Sequence, residues 1–237
     1  GKEGYTLPLW MKKTAMASGC FNIVGALLEE DGKFYNTSFL VRHSDGKIVF
    51  LHRKTHLVPF GEFVPFRKFL EPYFGIFSYI GDLTKGNIYT VMEIGEGKKI
   101  SPVVCSENLY GGITRRFVRN GAGAVFVLTN DAWYGKTTAA FQHFTFNVLR
   151  AVENDRWVVQ SANTGVSGVV SSDGKIISAT PLFEALWFET KIPLKYNLTF
   201  YTKYGDLFAI ISCGVSVAFA VFFLLRWLNV KILFLLF

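Results

Sequence analysis

The chain has 237 residues, half of them hydrophobic, with 24 Phe and a net charge of +7. That length accommodates one large domain with a sizeable core and one additional element. The Lys and Arg are scattered with no run of five, so no nucleic-acid partner is expected, and three cysteines without CxxC or Cys/His spacing indicate neither a zinc site nor a disulfide framework.

Leu9 to Ser18 has helical spacing. Phe21 to Leu28, Lys33 to Arg42 and Lys47 to His52 read as three short strands, and the Glu-Asp-Gly and Ser-Asp-Gly turns between them predict consecutive antiparallel hairpins. Arg53 to Pro65 follows, with Lys54 at the strand end and Glu62 between Pro59 and Pro65. Residues 66–85 are aromatic and turn-rich (Phe66, Phe69, Tyr73, Phe74, Phe77, Tyr79), as in a loop with one short helical piece. Such a loop serves either as a lid or lipid-contacting flap or as core filling. Asn87 to Glu93 and Lys98 to Cys105 are the next strands, and Leu109 to Asn120 is a helix ended by Gly121. Ala124 to Thr129 is a strand leading into the loop 130–136, and Thr138 to Asp155 is a long helix. Trp157 to Ala162 is a strand, and Val166 to Ser171 with Lys175 to Ala179 form a hairpin about Ser172-Asp173-Gly174. Strands alternating with helices and mixed with hairpins indicate an α/β sandwich. On the long helix, Arg150, Glu153 and Arg156 at i, i+3 and i+6 read as a structural ion-pair ladder.

Leu207 to Leu225 carries no charge. At 1.5 Å per residue it reaches roughly 28 Å, close to the ~30 Å hydrocarbon core of a bilayer. Ser212, Gly214, Ser216, Ala218 and Ala220 punctuate it, as in membrane helices that pack on others. Arg226 and Lys231 follow the span, so positive-inside reasoning puts the tail in the cytoplasm and residues 1 to about 205 outside. A basic chain beside such a span suits anionic lipid headgroups. The expected domains are therefore 1–200 and a transmembrane helix at 205–227. A chain beginning at Gly1 with no signal peptide is expected to be the C-terminal piece of a longer polypeptide.

The chemistry centres on Cys105, which ends the apolar run Ile100-Ser101-Pro102-Val103-Val104 and precedes a loop and helix. By itself this segment reads more readily as a buried structural cysteine. Thiol catalysis needs a thiolate, a proton-moving group and a positive donor for the oxyanion. Lys54 is the candidate donor. Glu62 or Glu107 could orient it or share its proton, which ranks a Cys-Lys-Glu reading above a Cys-His dyad with His143.

The stretch Lys54-Thr55-His56-Leu57-Val58-Pro59-Phe60-Gly61-Glu62-Phe63-Val64-Pro65 resembles a signature of the bacterial apolipoprotein N-acyltransferases, membrane-embedded members of the nitrilase superfamily. The likeness continues through Val104-Cys105-Ser106-Glu107, Thr129 to Gly135, Gln142-His143, Arg150 to Arg156, Asn163 to Ser167 and Tyr204-Gly205-Asp206. It implies a nitrilase-like four-layer α-β-β-α sandwich followed by one transmembrane helix, with Cys105 as nucleophile, Lys54 as triad lysine, and Glu62 and Glu107 as supporting carboxylates. It also implies a ping-pong reaction in which Cys105 takes a fatty acyl chain from a phospholipid as a thioester. The chain then passes to the N-terminal amine of a diacylglyceryl-cysteine lipoprotein. Asn130, Trp133, Tyr134, His143, Phe74 and Phe77 are the expected substrate-binding residues, and no cofactor or metal is called for.

The family's location implies a multi-pass protein of the bacterial inner membrane with its catalytic domain on the extracytoplasmic side. Three departures stand out. The family's general-base glutamate sits in a Pro-Glu motif upstream of the first helix, and here only Glu3 lies nearby; no bundle of membrane helices precedes Leu9; and Ser106 stands where Tyr is frequent. The chain as given is accordingly expected to be inactive or weak. Two other functions compete: a membrane-tethered amidase or nitrilase-type hydrolase with water as acceptor, and a non-catalytic anchored binding module.

Overall fold

The computed structural model describes residues 7–76 and 81–235, with side chains through Trp227. Two compact units divide the chain, Gly1–Thr202 and Lys203–Phe237. The first contains two sheets. In the smaller, β1 (Asn22–Glu30), β2 (Lys33–Val41) and β3 (Ile48–Arg53) pair antiparallel in chain order. The tight turn between β1 and β2 works because Asp31 and Gly32 both take positive φ.

The larger sheet runs β4 (Met92–Glu93), β5 (Lys99–Val104), β6 (Ala124–Asn130), β7 (Val158–Asn163), β8 (Gly168–Val170) and β9 (Ile176–Ala179). Its centre, β5-β6-β7, is parallel and its flanks are antiparallel. Only Met92 and Glu93 of the expected strand 87–93 join a ladder. The chain before them is tied elsewhere: Gly86 N–H donates to Lys54 O, and the Tyr89 carbonyl and hydroxyl accept from Asn120 and Arg116.

Strand parity sorts side chains into four layers. Phe39 and Val41 pack with Leu28, Leu51 and Ala15 of α1 (Leu9–Ser18) on the outer side of the small sheet. Leu40 points the other way and meets Ile100, Met92 and Ala124 between the sheets. Val103, Val125, Val127 and Val158 face outward from the large sheet onto Ile113, Phe117 and Val118 of α3 (Gly111–Arg119) and Phe144 and Ala151 of α4 (Thr138–Asn154). The result is the expected α/β sandwich. Parallel β5, β6 and β7 need these helical crossovers, and their carboxyl ends all open toward one edge, as in other parallel sheets where chemistry collects there.

α4 begins where the Thr137 hydroxyl accepts from Ala139 N–H and ends at Asp155 in a left-handed cap. Its buried residues, Ala140, His143, Phe144, Asn147, Arg150, Ala151 and Asn154, follow 3-4 spacing. Arg156 lies beyond that cap, which corrects the expected ladder. Arg150 does pair with Glu153 at 2.8 Å, but the fully buried Arg156 guanidinium donates to the carbonyls of Ala122, Asn154, Asp155 and Asn197. The predicted lid region holds the short α2 (Arg67–Leu70). Phe66, Phe69, Tyr73, Phe74 and Ile76 are exposed, so they do not fill the core; Phe77 and Tyr79 lie outside the described residues.

A short helix, α5 (Phe200–Tyr204), precedes α6 (Leu207–Leu235). Within α6, Leu207–Trp227 is long and apolar enough to cross a membrane, and none of it is buried within the protein, consistent with a membrane anchor.

Candidate active site

Cys105 follows β5 directly, opens a 3-10 turn (Cys105–Leu109) and adopts φ 51°. A side chain other than Gly seldom takes the left-handed region, and such strain gathers where a side chain must be presented at an abrupt turn. The strand is locked on both faces by Val103 and Ile100, so the chain can only exit sharply and present a partly exposed thiol at the sheet edge.

Glu107 is fully buried and holds that turn. One carboxylate oxygen accepts from Thr55 N–H (2.6 Å) and the Thr55 hydroxyl (2.7 Å). The other accepts from Val104 N–H (2.9 Å) and meets His52 Nε2 at 3.2 Å. Burial pushes its carboxyl up, but the His52 contact and the backbone N–H groups outweigh this, and the net result lies below the ordinary glutamate value. With both oxygens occupied, Glu107 acts as a clamp that fastens the Cys105 turn to the segment after β3. His52, at the end of β3, completes it with an edge-on contact to Phe117 at 5.0 Å.

The residue beside that clamp is Lys54. Its side chain is 1% exposed, and Nζ donates to Glu62 Oε2 at 2.7 Å. Glu62 also accepts from Val58 N–H and Asn36 Nδ2, both at 2.8 Å, so β2 and the turn itself fix the carboxylate that fixes the lysine. A buried ammonium survives only with such a partner.

A third arm comes from β6 and α4. Asp131, 1% exposed, takes hydrogen bonds on Oδ1 from the Thr129 hydroxyl (2.7 Å) and from His143 Nδ1 (3.0 Å). Cys105 Sγ, an Asp131 oxygen and a His143 ring nitrogen all lie within 4.8 Å of one another. In a neutral ring that donates Nδ1–H to Asp131, Nε2 is the acceptor. Tyr134 covers this arm, its ring 6.0 Å from that of His143. Burial, and the Cys105 and Asp131 side chains beside it, push the Tyr134 phenol up.

Of the other expected residues, Asn130, Trp133 and Phe74 are described and Phe77 lies outside the described residues. Asn130 ends β6, and its Oδ1 accepts from Ala132 N–H and Asn163 Nδ2. Trp133 is 86% exposed and Phe74 is exposed on the aromatic loop. Asp131 was not among the expected site residues. Its signal was the Thr129-Asn130-Asp131 run at the end of a parallel strand, where a carboxylate two residues past a hydroxyl donor reads equally as a turn cap. Gly165 was also not singled out. A Cβ there would lie 2.3 Å from Asp131 Oδ2, so only glycine lets the loop after β7 close against that carboxylate.

A strained thiol at a parallel-strand terminus, beside a histidine backed by a carboxylate, is consistent with a cysteine-dependent hydrolase or transferase. The family model for carbon-nitrogen hydrolases matches residues 7–196, and the chain belongs to that family. It is 36% identical over 193 residues to the apolipoprotein N-acyltransferase of Geobacter metallireducens, covering 80% of this chain and 37% of that protein. With the apolipoprotein N-acyltransferase of Thermotoga maritima it shares 35% identity, covering 73% and 34%. The chain thus spans little more than a third of the length of these relatives. Among solved structures it resembles Nit3 of Saccharomyces cerevisiae, of the nitrilase superfamily (TM-score 0.55, 20% identity, 77% of this chain and 65% of that one). It also resembles a carbon-nitrogen hydrolase of Helicobacter pylori (TM-score 0.55, 17% identity, 72% and 61%). At these identities the structural likeness concerns the fold.

Proposed function

We propose that this chain carries the thioester-forming catalytic domain of a membrane N-acyltransferase acting on lipoproteins. The observation that carries the chemistry is the Glu107 clamp. It fastens the residue next to Lys54 to the turn that presents Cys105, so the segment carrying Lys54 and the strained turn of the thiol are joined through one buried carboxylate. In the proposed reaction the Cys105 sulfur attacks the ester carbonyl of a phospholipid. Its proton passes to His143 Nε2, which Asp131 orients. Lys54, held by Glu62, stabilises the oxyanion, the C–O bond breaks, and a lysophospholipid leaves with a proton. The amine of a diacylglyceryl lipoprotein then attacks the thioester, the C–S bond breaks, an amide forms, and the thiol is restored. A thioester suits this step because it stays reactive toward an amine.

The lipid and lipoprotein assignments rest on similarity to the N-acyltransferases and on the apolar α6. Trp133, Tyr134 and Phe74 then contact acyl chains, and the domain lies on the extracytoplasmic side of the bacterial inner membrane. Domains at 1–200 and 205–227 belong to the same proposal.

The second reading uses the same residues with water as acceptor, giving a membrane-tethered amidase or nitrilase-type hydrolase. Family membership and the Cys105, Asp131 and His143 cluster support that chemistry without specifying an amine. One experiment separates the two. The full-length protein is loaded with a labelled acyl phospholipid, the Cys105 thioester is isolated, and its discharge by diacylglyceryl peptide is compared with discharge by water. Amide product supports the transferase, free fatty acid alone supports the hydrolase, and no thioester overturns both.

A further inference from the structure

The Cys105, Asp131 and His143 cluster has a property that neither reading uses. Its donors are a sulfur, a carboxylate oxygen and an imidazole nitrogen, all within 4.8 Å of one another. Asp131 Oδ2 and His143 Nε2 are buried and have no hydrogen-bond partner among the described residues, an arrangement that costs free energy unless something binds there. Asp131 is 1% and His143 3% exposed, while the partly exposed Cys105 gives access.

We propose that Cys105, Asp131 and His143 form a capture site for one thiophilic divalent cation, Zn²⁺ above all, which occupies the nucleophile and reversibly arrests the chemistry. Sulfur, imidazole and carboxylate together favour zinc over magnesium or calcium, which prefer all-oxygen shells. Three protein donors also leave the fourth tetrahedral position for water. Tetrahedral zinc, with Zn–S about 2.3 Å and Zn–N about 2.0 Å, sets its donors ~3.5 Å apart, so side-chain rotations on the order of 1 Å close the site. The exchange is balanced without oxidation: the thiol S–H bond breaks, the S–metal bond forms, and the proton goes to solvent. The chain spacing gives no metal signature because the donors come from the end of β5, the end of β6 and the middle of α4.

The test uses the 237-residue chain in detergent, with Cys20→Ser and Cys213→Ser so that one thiol remains. Titration with Co²⁺ as a spectroscopic stand-in is expected to give one equivalent bound with a thiolate-to-cobalt charge-transfer band. Cys105→Ser abolishes the band, and His143→Gln and Asp131→Asn each weaken binding about tenfold or more. Zn²⁺ displaces the cobalt and protects Cys105 from iodoacetamide, and EDTA removes the protection. The protection assay keeps all three donor residues intact, so it decides the matter even where a donor variant misfolds. Unprotected Cys105 at excess Zn²⁺, or undiminished Co²⁺ affinity in both His143→Gln and Asp131→Asn, overturns the site. Neither readout needs an acyl substrate, so failure here is distinct from failure of the thioester reading.

Discussion

At the residue scale the site depends on two close fits. Asp131 occupies space that a Cβ on Gly165 would take, at 2.3 Å from Oδ2 and 2.6 Å from its own Cβ. Gly165→Ala is therefore expected to push Asp131 off His143. Thioester formation falls by more than tenfold, while overpacking costs about 1–3 kcal/mol of stability. Single-turnover acylation alongside thermal unfolding checks this, and unchanged acylation would remove Asp131 from the machinery. Glu107 is the second fit. Its carboxyl is depressed in the folded state, so its contribution to stability is present above the unfolded value of about 4.3 and is lost as pH falls through the folded one. Glu107→Gln removes a charge that accepts three hydrogen bonds and faces His52, at a cost on the order of 2–3 kcal/mol at neutral pH. Denaturant midpoints measured down the acid limb are expected to converge for the two proteins, because wild type alone loses this carboxylate's contribution there.

At the element scale, the turn after β3 and the turn after β5 form one unit. The turn carrying Lys54 is anchored through Glu62 to Asn36 on β2, and through Thr55 to Glu107. Lys54→Met leaves Glu62 still accepting from Val58 N–H and Asn36, so folding is expected to persist. Losing the ammonium should slow acylation about 10²–10³-fold, the usual scale for an oxyanion donor. Rapid-quench thioester formation with matched circular dichroism checks both halves. These elements were legible to different degrees. Hairpin turns at Asp31-Gly32 and Asp173-Gly174, the 3-4 apolar spacing of α4 and the uncharged run of α6 could be read because each signal is local. Lys54, Glu62, Cys105 and Glu107 could be placed because each sits in a motif. The Asp131–His143 bond could not, since it joins a loop to the buried face of a helix and nothing in chain spacing tells which helical face is buried polar. Likewise, the sequence favoured a Cys-Lys-Glu site over a Cys-His one, whereas the structure puts Asp131 and His143 beside Cys105 and ties Thr55, next to Lys54, to the same turn through Glu107.

At the scale of the whole molecule, the sandwich and α6 meet opposite demands. The sandwich satisfies its polar backbone through ladders and crossovers and hides Lys54, Glu107 and Arg156 with their partners. Leu207–Trp227 has the composition of a core helix, yet none of it is buried within the protein, so water is the wrong solvent for it. A bilayer removes that penalty, because an α-helix satisfies its own backbone in lipid. Membrane association should accordingly reside mainly in α6. Val217 and Phe219 lie near its middle, and an arginine at each opposes insertion by about 2.5–3.5 kcal/mol per residue. Alkaline carbonate extraction is expected to leave the unaltered chain in the membrane fraction and to release a large share of the Val217→Arg, Phe219→Arg variant. Equal retention of both would mean that the sandwich surface itself holds the protein on the membrane, and α6 would lose its place as the anchor.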